Sequence, residues 1–378
     1  MTERIKTEAD SGPVASDAPA QRPVVGTRWL DRFRVDHRCG EGGFAFVTAV
    51  QDEQTGQWFA FKMPRSPDSD LDEFRTEMGF WLELEPHPHI VRAFDVLDID
   101  GRPALFLEYI GSHALNTLRA RMSGGQPMPM REAMSCATQI AAAMEHAGRR
   151  GEVAHLDLKP ENLMRTSDGV IKVTDFGLAR RVAVVDGHYP RVSEGSWPYV
   201  APERFEGKAL DSRADIYAFG VILFEMVTGR LPFPIDFAGN VHDQMKTFHS
   251  SGALRKLTGE LYYSGTTGVT ELAVRQLISH CLQWYPGERP RSFREVCAAL
   301  NRIAPSVGAA AEGRTLTPDE DVQRASALYR AGKPSDALSL LNGLLVHHPD
   351  DMPLWRRIAD LLDTLGEIDT AASIRERI

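Results

Sequence analysis

The sequence predicts an α+β fold followed by a small, purely α-helical module. Three observations carry that reading. Strand-like alternation and helix-spaced apolar residues are interleaved from Trp29 to about Ile303. Residues 304–318, APSVGAAAEGRTLTP, are small and polar, as linkers are. The last sixty residues are helical in pattern and repeat themselves at an offset of 34.

Composition narrows the classes. Of 378 residues, 43 % are apolar and 25 % charged. That is ordinary globular usage and excludes collagen-like or wholly disordered chains. At roughly 150 residues per domain, the length gives about two to three domains, enough to bury a core without disulfides. With 43 basic and 52 acidic residues, the net charge is −9. No basic footprint for nucleic acid and no polybasic membrane attraction result, so neither partner is expected. Cys39, Cys136, Cys281 and Cys297 form no C-x-x-C pair. Reduced cytosolic thiols are expected rather than zinc or redox chemistry. The N-terminus has no apolar signal-peptide core. The longest apolar run, Ile216 to Phe224, stops at Glu225, well short of the about 20 residues that span a bilayer. The expected location is cytoplasmic.

Taken in order, residues 1–27 hold Ser, Pro, Ala and mixed charges without an aromatic and are expected to be a flexible tail. A glycine cluster follows in Cys39-Gly40-Glu41-Gly42-Gly43-Phe44-Ala45-Phe46-Val47. Absent side chains let backbone N–H groups close on phosphate oxygens, although glycine clusters are often plain turns. Lys62 ends the alternating strand pattern Phe59-Ala60-Phe61-Lys62, fifteen residues after Val47. Glu77 is the candidate to hold it, on a helix whose Leu71, Phe74, Met78 and Trp81 share one face. Taken singly, Lys62 and Glu77 would read as solvated surface charges. Further on, His155-Leu156-Asp157-Leu158-Lys159-Pro160-Glu161-Asn162 gathers an acid, a lysine and an amide. Asp175-Phe176-Gly177 begins thirteen residues after Asn162, behind the apolar run Val170-Ile171-Lys172-Val173. Gly195-Ser196-Trp197-Pro198-Tyr199-Val200-Ala201-Pro202-Glu203, then Asp215 to Gly220, then Arg289 complete the series.

In this order the motifs resemble those of the eukaryotic-type serine/threonine protein kinase family, over about residues 28–303. The resemblance implies a two-lobed protein kinase fold: a β-rich lobe over about 28–110 and a helical lobe over about 111–303. It implies ATP and Mg²⁺ as cofactors and a protein substrate. Gly40, Gly42 and Gly43 would cover the phosphates, and Lys62, paired with Glu77, would hold the α- and β-phosphates. Val47, Ala60 and Met164 would sandwich the adenine, which the backbone of the hinge around Glu108 and Ile110 would bind, with Leu107 as gatekeeper. Asp157 would orient the substrate hydroxyl and accept its proton. Lys159 would neutralise the transferred phosphoryl group, and Asn162 and Asp175 would hold magnesium. The chemistry is mostly positioning and charge compensation, which is why carboxylates, lysines and a metal recur. Trp81, His155 and Phe176 resemble parts of an internal apolar spine. Glu203 and Arg289 would form a buried ion pair, and Asp215 would accept hydrogen bonds from the catalytic-loop backbone. Lys159 and Ser196 point to the serine/threonine branch.

The chain departs from the family pattern at three places. Ala45 replaces the third glycine of the loop, and Tyr217 stands where tryptophan is common. Leu156 replaces the arginine before the catalytic aspartate, an arginine that in the family binds a phosphorylated activation segment. Between Leu178 and Val200 the only serines are Ser193 and Ser196, and there is no threonine. Activation-segment phosphorylation is therefore expected to be unnecessary, unless Arg180 or Arg181 supplies the missing charge. Cys39 would form a small apolar wall over the adenine, and His87 and His89 resemble a family turn rather than a metal site. Two rival readings are a pseudokinase scaffold and a small-molecule kinase. Lys62, Asp157, Asn162 and Asp175 are all retained, against the first, and the segment Gly195 to Glu203 argues against the second.

In the last sixty residues, 319–378, Ala325 matches Ala359, Leu328 matches Leu362, Gly332 matches Gly366, Ala337 matches Ala371 and Leu340 matches Ile374. Small residues let antiparallel helices approach and glycine permits the turn between them, so this period resembles the tetratricopeptide repeat (TPR). One full repeat and most of another are present. About three are usually needed for a stable stack, so the TPR-like hairpins are expected to bind a protein partner or to dock on the preceding domain.

Overall fold

The computed structural model describes residues 23–41, 45–65, 74, 78–79, 81–84, 86–111, 116–149, 153–176, 180–181, 194–233, 239–251, 268–303, 318, 322–323, 325–326, 329, 334–347 and 351–375. Its first part is one antiparallel six-stranded sheet. The strands are β1 (Arg28–Trp29), β2 (Phe33–Glu41), β3 (Ala45–Asp52), β4 (Trp58–Pro64), β5 (Ala93–Ile99) and β6 (Arg102–Glu108). Their spatial order is β1-β2-β3-β4-β6-β5.

Alternation in β4 sets the two faces of this sheet. Phe59, Phe61 and Met63 join Trp29, Phe33 and Phe94 in an aromatic cluster, with Phe61 stacked on Phe106 at 5.1 Å. Ala60 and Lys62 take the opposite face and register against Leu107 and Leu105 of β6. A one-residue slip would bury Lys62 among the phenylalanines, so the aromatic face fixes where the lysine stands.

The second part is helical. Helices α1 (Leu118–Met122), α2 (Met130–Gly148), α3 (Pro202–Phe205), α4 (Ser212–Thr228), α5 (Val241–Ser250), α6 (Gly268–Cys281) and α7 (Phe293–Ile303) surround a core shared with Trp81 and Phe176. Asp211 caps α4 by accepting from the Arg213 N–H at 2.8 Å. From Ala214 to Val227 every residue of α4 is buried, so this helix is a central pillar rather than an amphipathic surface helix. Gly220 is required there: a Cβ at this position would lie 2.7 Å from the Cβ of Cys281 on α6. Short strands β7 (Val153–Ala154) to β10 (Arg180–Arg181) bracket the loops between α2 and residue 194, β7 pairing with β10 and β8 (Leu163–Arg165) with β9 (Ile171–Val173).

The C-terminal part has its own core. Ala325, Ala337, Ala359 and Ala371 are fully buried, and Leu362 and Ile374 join them in this core. These are positions that the 34-residue offset pairs, so the repeat in sequence is a repeat in packing. Helices α8 (Pro334–His347), α9 (Met352–Thr364) and α10 (Ile368–Arg375) carry them. Gly366, at φ +86°, makes the turn between the last two. Leu328 and Gly332 lie outside the described residues.

Candidate active site

A cleft of about 550 Å³ opens between the sheet and the helical part. Val47, Ala60, Leu107 and Met164 form apolar walls, joined by Cys39 from β2. Glu108, Tyr109, Ile110 and Gly111 pass along one edge, and Lys62 and Asp175 stand at the other. Flat apolar walls with a charged end suit a planar base bearing a polyanionic tail. Burial pushes the Cys39 thiol up to about 12, so it is a neutral wall rather than a nucleophile.

At the charged end, Lys62 Nζ lies 2.6 Å from Asp175 Oδ1. Desolvation in the cleft opposes the Asp175 charge, but Lys62 overrides it and the carboxyl is lowered to about 2. Asp175 is also held at φ +63°, a left-handed conformation that non-glycine residues adopt at a cost and that clusters at working sites. Glu77, the expected holder of Lys62, lies outside the described residues, as do Gly42 and Gly43; Gly40 is in β2, in register with Val47.

The loop between β7 and β8 supplies the second half of the site. Lys159 Nζ donates to Ser196 Oγ at 2.8 Å and stands 2.8 Å from Asp157 Oδ2. The Ser196 hydroxyl in turn donates to Asp157 Oδ1 at 2.7 Å. Asn162 Nδ2 donates to the Asp157 carbonyl at 2.8 Å and to its Oδ2 at 3.0 Å. Asp157 is thus fixed from three sides. Beneath it, buried Asp215 accepts from the backbone N–H groups of His155 (2.6 Å) and Leu156 (2.8 Å). The Asp157 N–H points at His155 Nδ1 at 3.3 Å, which leaves His155 Nε2 to donate to the Thr174 carbonyl at 3.0 Å. That imidazole is a single neutral tautomer, and burial lowers its pKa. Its ring packs on Phe176 at 4.7 Å, and Phe176 packs on Trp81 at 5.8 Å. The stack ties the loop of Asp157 to the strand end that carries Asp175.

The expected Glu203–Arg289 pair is present and doubly bonded, at 2.7 and 2.8 Å. Tyr217, in the tryptophan's place, lies under the Arg289 guanidinium at 5.0 Å. Motif reading missed two features. Lys172 Nζ reaches Glu108 at 2.9 Å and anchors the cleft edge; its position between buried Ile171 and Val173 was the available signal. Arg119, Glu161, Tyr199 and Glu225 form a second charged network, which no single motif contains.

The oxygen donors fit magnesium. Asn162 and Asp175 carry hard oxygen donors, and Mg²⁺ is commonly held by one or two such groups plus substrate phosphates rather than by a full protein cage.

Comparison with known families agrees with this geometry. The protein kinase domain model matches residues 33–300, and the tetratricopeptide repeat model matches residues 318–361. The chain belongs to the protein kinase domain family and carries a tetratricopeptide repeat behind that domain. It is 34 % identical over 219 residues to the probable serine/threonine-protein kinase PknB of Lactococcus lactis, covering 57 % of this chain and 34 % of that protein. It is 32 % identical over 214 residues to the serine/threonine-protein kinase PrkC of Bacillus subtilis, covering 56 % and 32 %. A probable serine/threonine-protein kinase of Clostridium acetobutylicum is 30 % identical over 285 residues, covering 74 % and 41 %. The chain therefore spans 32–41 % of these relatives' length.

Proposed function

We propose that this protein is a serine/threonine protein kinase that moves the γ-phosphoryl group of ATP to hydroxyls of a protein substrate. The carrying observation is the Lys62–Asp175 pair at the end of the cleft together with the Asp157–Ser196–Lys159–Asn162 cluster, which the His155–Phe176 stack ties to the segment of Asp175. Asp157 would orient the acceptor hydroxyl and take its proton, and Lys159 would offset charge on the phosphoryl group. Lys62 would hold the α- and β-phosphates, under Gly40, Gly42 and Gly43. Val47, Ala60 and Met164 would sandwich the adenine against the backbone of Glu108 and Ile110. Asn162 and Asp175 would hold magnesium, which supplies charge neutralisation along the phosphates.

The kinase domain would run over 28–303, between a tail, 1–27, and a linker, 304–318. The TPR-like hairpins, 319–378, would recruit a protein partner in the cytoplasm. Activity would not depend on activation-segment phosphorylation.

Incubation of the purified protein with labelled ATP, magnesium and candidate proteins tests the central reading. Label should appear on serine or threonine. Asp157→Asn should abolish transfer while nucleotide binding stays nearly intact, because the aspartate acts on the hydroxyl; Lys62→Met should weaken both. Wild-type autophosphorylation by Asp157→Asn would remove the assignment of the base.

A further inference from the structure

Three rings from three segments meet at the rim of the cleft. His37 is in β2, Trp58 opens β4, and Tyr109 lies between Glu108 and Ile110 on the cleft edge. Two irregularities in β2 bring this about. Its register against β3 slips between Val35 and His37 and again between Arg38 and Gly40, which leaves Asp36 and Cys39 without strand partners. Bulges of this kind re-aim side chains. The first sets His37 opposite Ala49, in the row that runs on through Ala60 to Leu107 on the cleft face. Unbroken alternation would have sent it to the aromatic face with Val35. The second leaves Cys39 lining the cleft.

The spare residue Asp36 fixes the imidazole. His37 Nδ1 lies 2.8 Å from Asp36 Oδ2, so that nitrogen carries the proton. In the neutral ring, Nε2 is left to accept from the Tyr109 hydroxyl at 3.2 Å. Burial, with Cys39 and Asp36, raises the Tyr109 pKa, and the phenol keeps the proton it donates. The two rings meet edge to face at 6.0 Å, and the Trp58 ring packs on Tyr109 at 5.8 Å.

We propose that His37 and Tyr109 form a latch that holds β2 against the cleft edge and so sets nucleotide affinity, with His37 as a positioning residue that does not itself line the cleft. The inference rests on the protein kinase reading above. β2 carries Cys39 and Gly40, which belong to the proposed adenine and phosphate sites. A hydrogen bond made before the nucleotide arrives contributes by preorganisation: the strand is already in place when the ligand binds. Without the latch, binding must also order β2, and affinity falls by the fraction of molecules in which the strand is seated. The bonds that fix Asp157 come from Ser196 and Asn162 and involve neither latch residue, so the transfer step should not follow.

The test uses the full chain, with ADP binding read by calorimetry and ATP kinetics read on one serine peptide. His37→Leu and Tyr109→Phe should each raise the Kd for ADP and the KM for ATP about three- to tenfold, the worth of one hydrogen bond. In both, kcat and the peptide KM should stay within about twofold of wild type. The double variant should lose no more than either single one, because both changes remove the same bond. His37→Gln, which keeps an acceptor for the hydroxyl, should bind ADP like wild type. Tyr109→Phe deletes a single oxygen and carries the prediction if His37→Leu fails to fold. A protein that binds ADP but transfers no phosphoryl group would sink the kinase reading and leave the latch to be read from Kd alone; one that binds no nucleotide would sink both. An unchanged Kd in folded His37→Leu or Tyr109→Phe, losses that multiply in the double variant, or a His37→Gln as impaired as His37→Leu would overturn the proposal.

Discussion

Ser196 Oγ donates to Asp157 Oδ1 at 2.7 Å while accepting from Lys159 Nζ, so one hydroxyl couples the proposed base to the proposed phosphate neutraliser. Its removal leaves the nucleotide cleft untouched, because Ser196 does not line it. A hydrogen bond to a charged group contributes about 1.5–3 kcal/mol. Ser196→Ala should therefore lower kcat about ten- to hundredfold with little change in the KM for ATP, and Ser196→Thr should restore most of it. Steady-state kinetics on one peptide separate the two parameters. A rise in the ATP KM at constant kcat would place Ser196 elsewhere in the mechanism.

Arg289 is only 2 % exposed and Glu203 only 3 %. Besides the acid, Arg289 is bonded to the carbonyls of Gln283, Arg213 and Trp284. Every donor of the guanidinium that reaches them is already used, so a lost partner leaves a charge that water cannot reach. Glu203→Gln should cost about 3–5 kcal/mol, a fall in Tm of roughly 6–15 °C for a domain of this size. Arg289→Met should cost a similar amount. The double variant should lose less than the sum of the two, since each single change strands the other group. Thermal melts of the three proteins decide it.

These two cases also mark what was legible in the sequence. Glu203–Arg289, Asp215 under the catalytic loop and the Trp81–Phe176–His155 stack were all readable, because each residue sits inside a motif whose spacing is fixed. The alanines of the repeat were readable for the same reason: close helix packing recurs with the period. The Arg119 network was not readable. Its bonded members are 26 to 106 residues apart along the chain. Neither periodicity nor local motif encodes which surface-looking arginine folds back onto which acid. Lys172 was hidden differently. The apolar run that holds it marks a buried strand but does not name Glu108, 64 positions away, as its partner.

Acid should destabilise the fold through His87. Burial, with the neighbouring His146 and His89, pushes its pKa down from 6.5 to about 3. The Nδ1 of its ring accepts from the His89 N–H at 3.2 Å, and the ring stacks on His146 at 4.6 Å. The native ring stays neutral while the unfolded chain takes up a proton. This contribution is therefore complete above about pH 6.5 and is lost as pH falls towards 3. At about pH 5.5 the loss is roughly 1.4 kcal/mol. His87→Asn keeps an acceptor for the His89 N–H and cannot titrate. Its Tm should fall less than that of wild type between about pH 7.5 and about pH 5.5. Equal falls would assign the acid sensitivity to other groups.

The proposed independence from activation-segment phosphorylation follows from how Leu156 is held. This residue stands at φ +61°, a conformation that costs energy for a branched side chain and persists only where its surroundings fix it. They do so through both backbone groups. The Leu156 N–H donates to Asp215 Oδ1 at 2.8 Å, and Arg204 Nη1 donates to the Leu156 carbonyl at 2.8 Å. Leu156 lines a cavity together with Leu158, Val200, Ala201 and Leu210, and Asp157, Ser196, Arg204 and Asp215 line it too. A phosphate brought to this position would meet a leucine instead of the arginine that family members place there, beside the carboxylates of Asp157 and Asp215 and an Arg204 that already bonds the Leu156 carbonyl. The bonds to Asp215 and Arg204 already order the loop, so a phosphate has little left to order. Arg180 and Arg181 pair through their backbones with Ala154 and Val153, and Ser193 lies outside the described residues. Phosphatase-treated protein and Ser193→Ala should therefore each retain activity on one peptide to within about tenfold of the untreated enzyme, roughly 1.4 kcal/mol of barrier. A larger loss in either sample would mean that a phosphate does complete the site, with Arg180, Arg181 or Arg204 as the cation to test next by substitution with alanine.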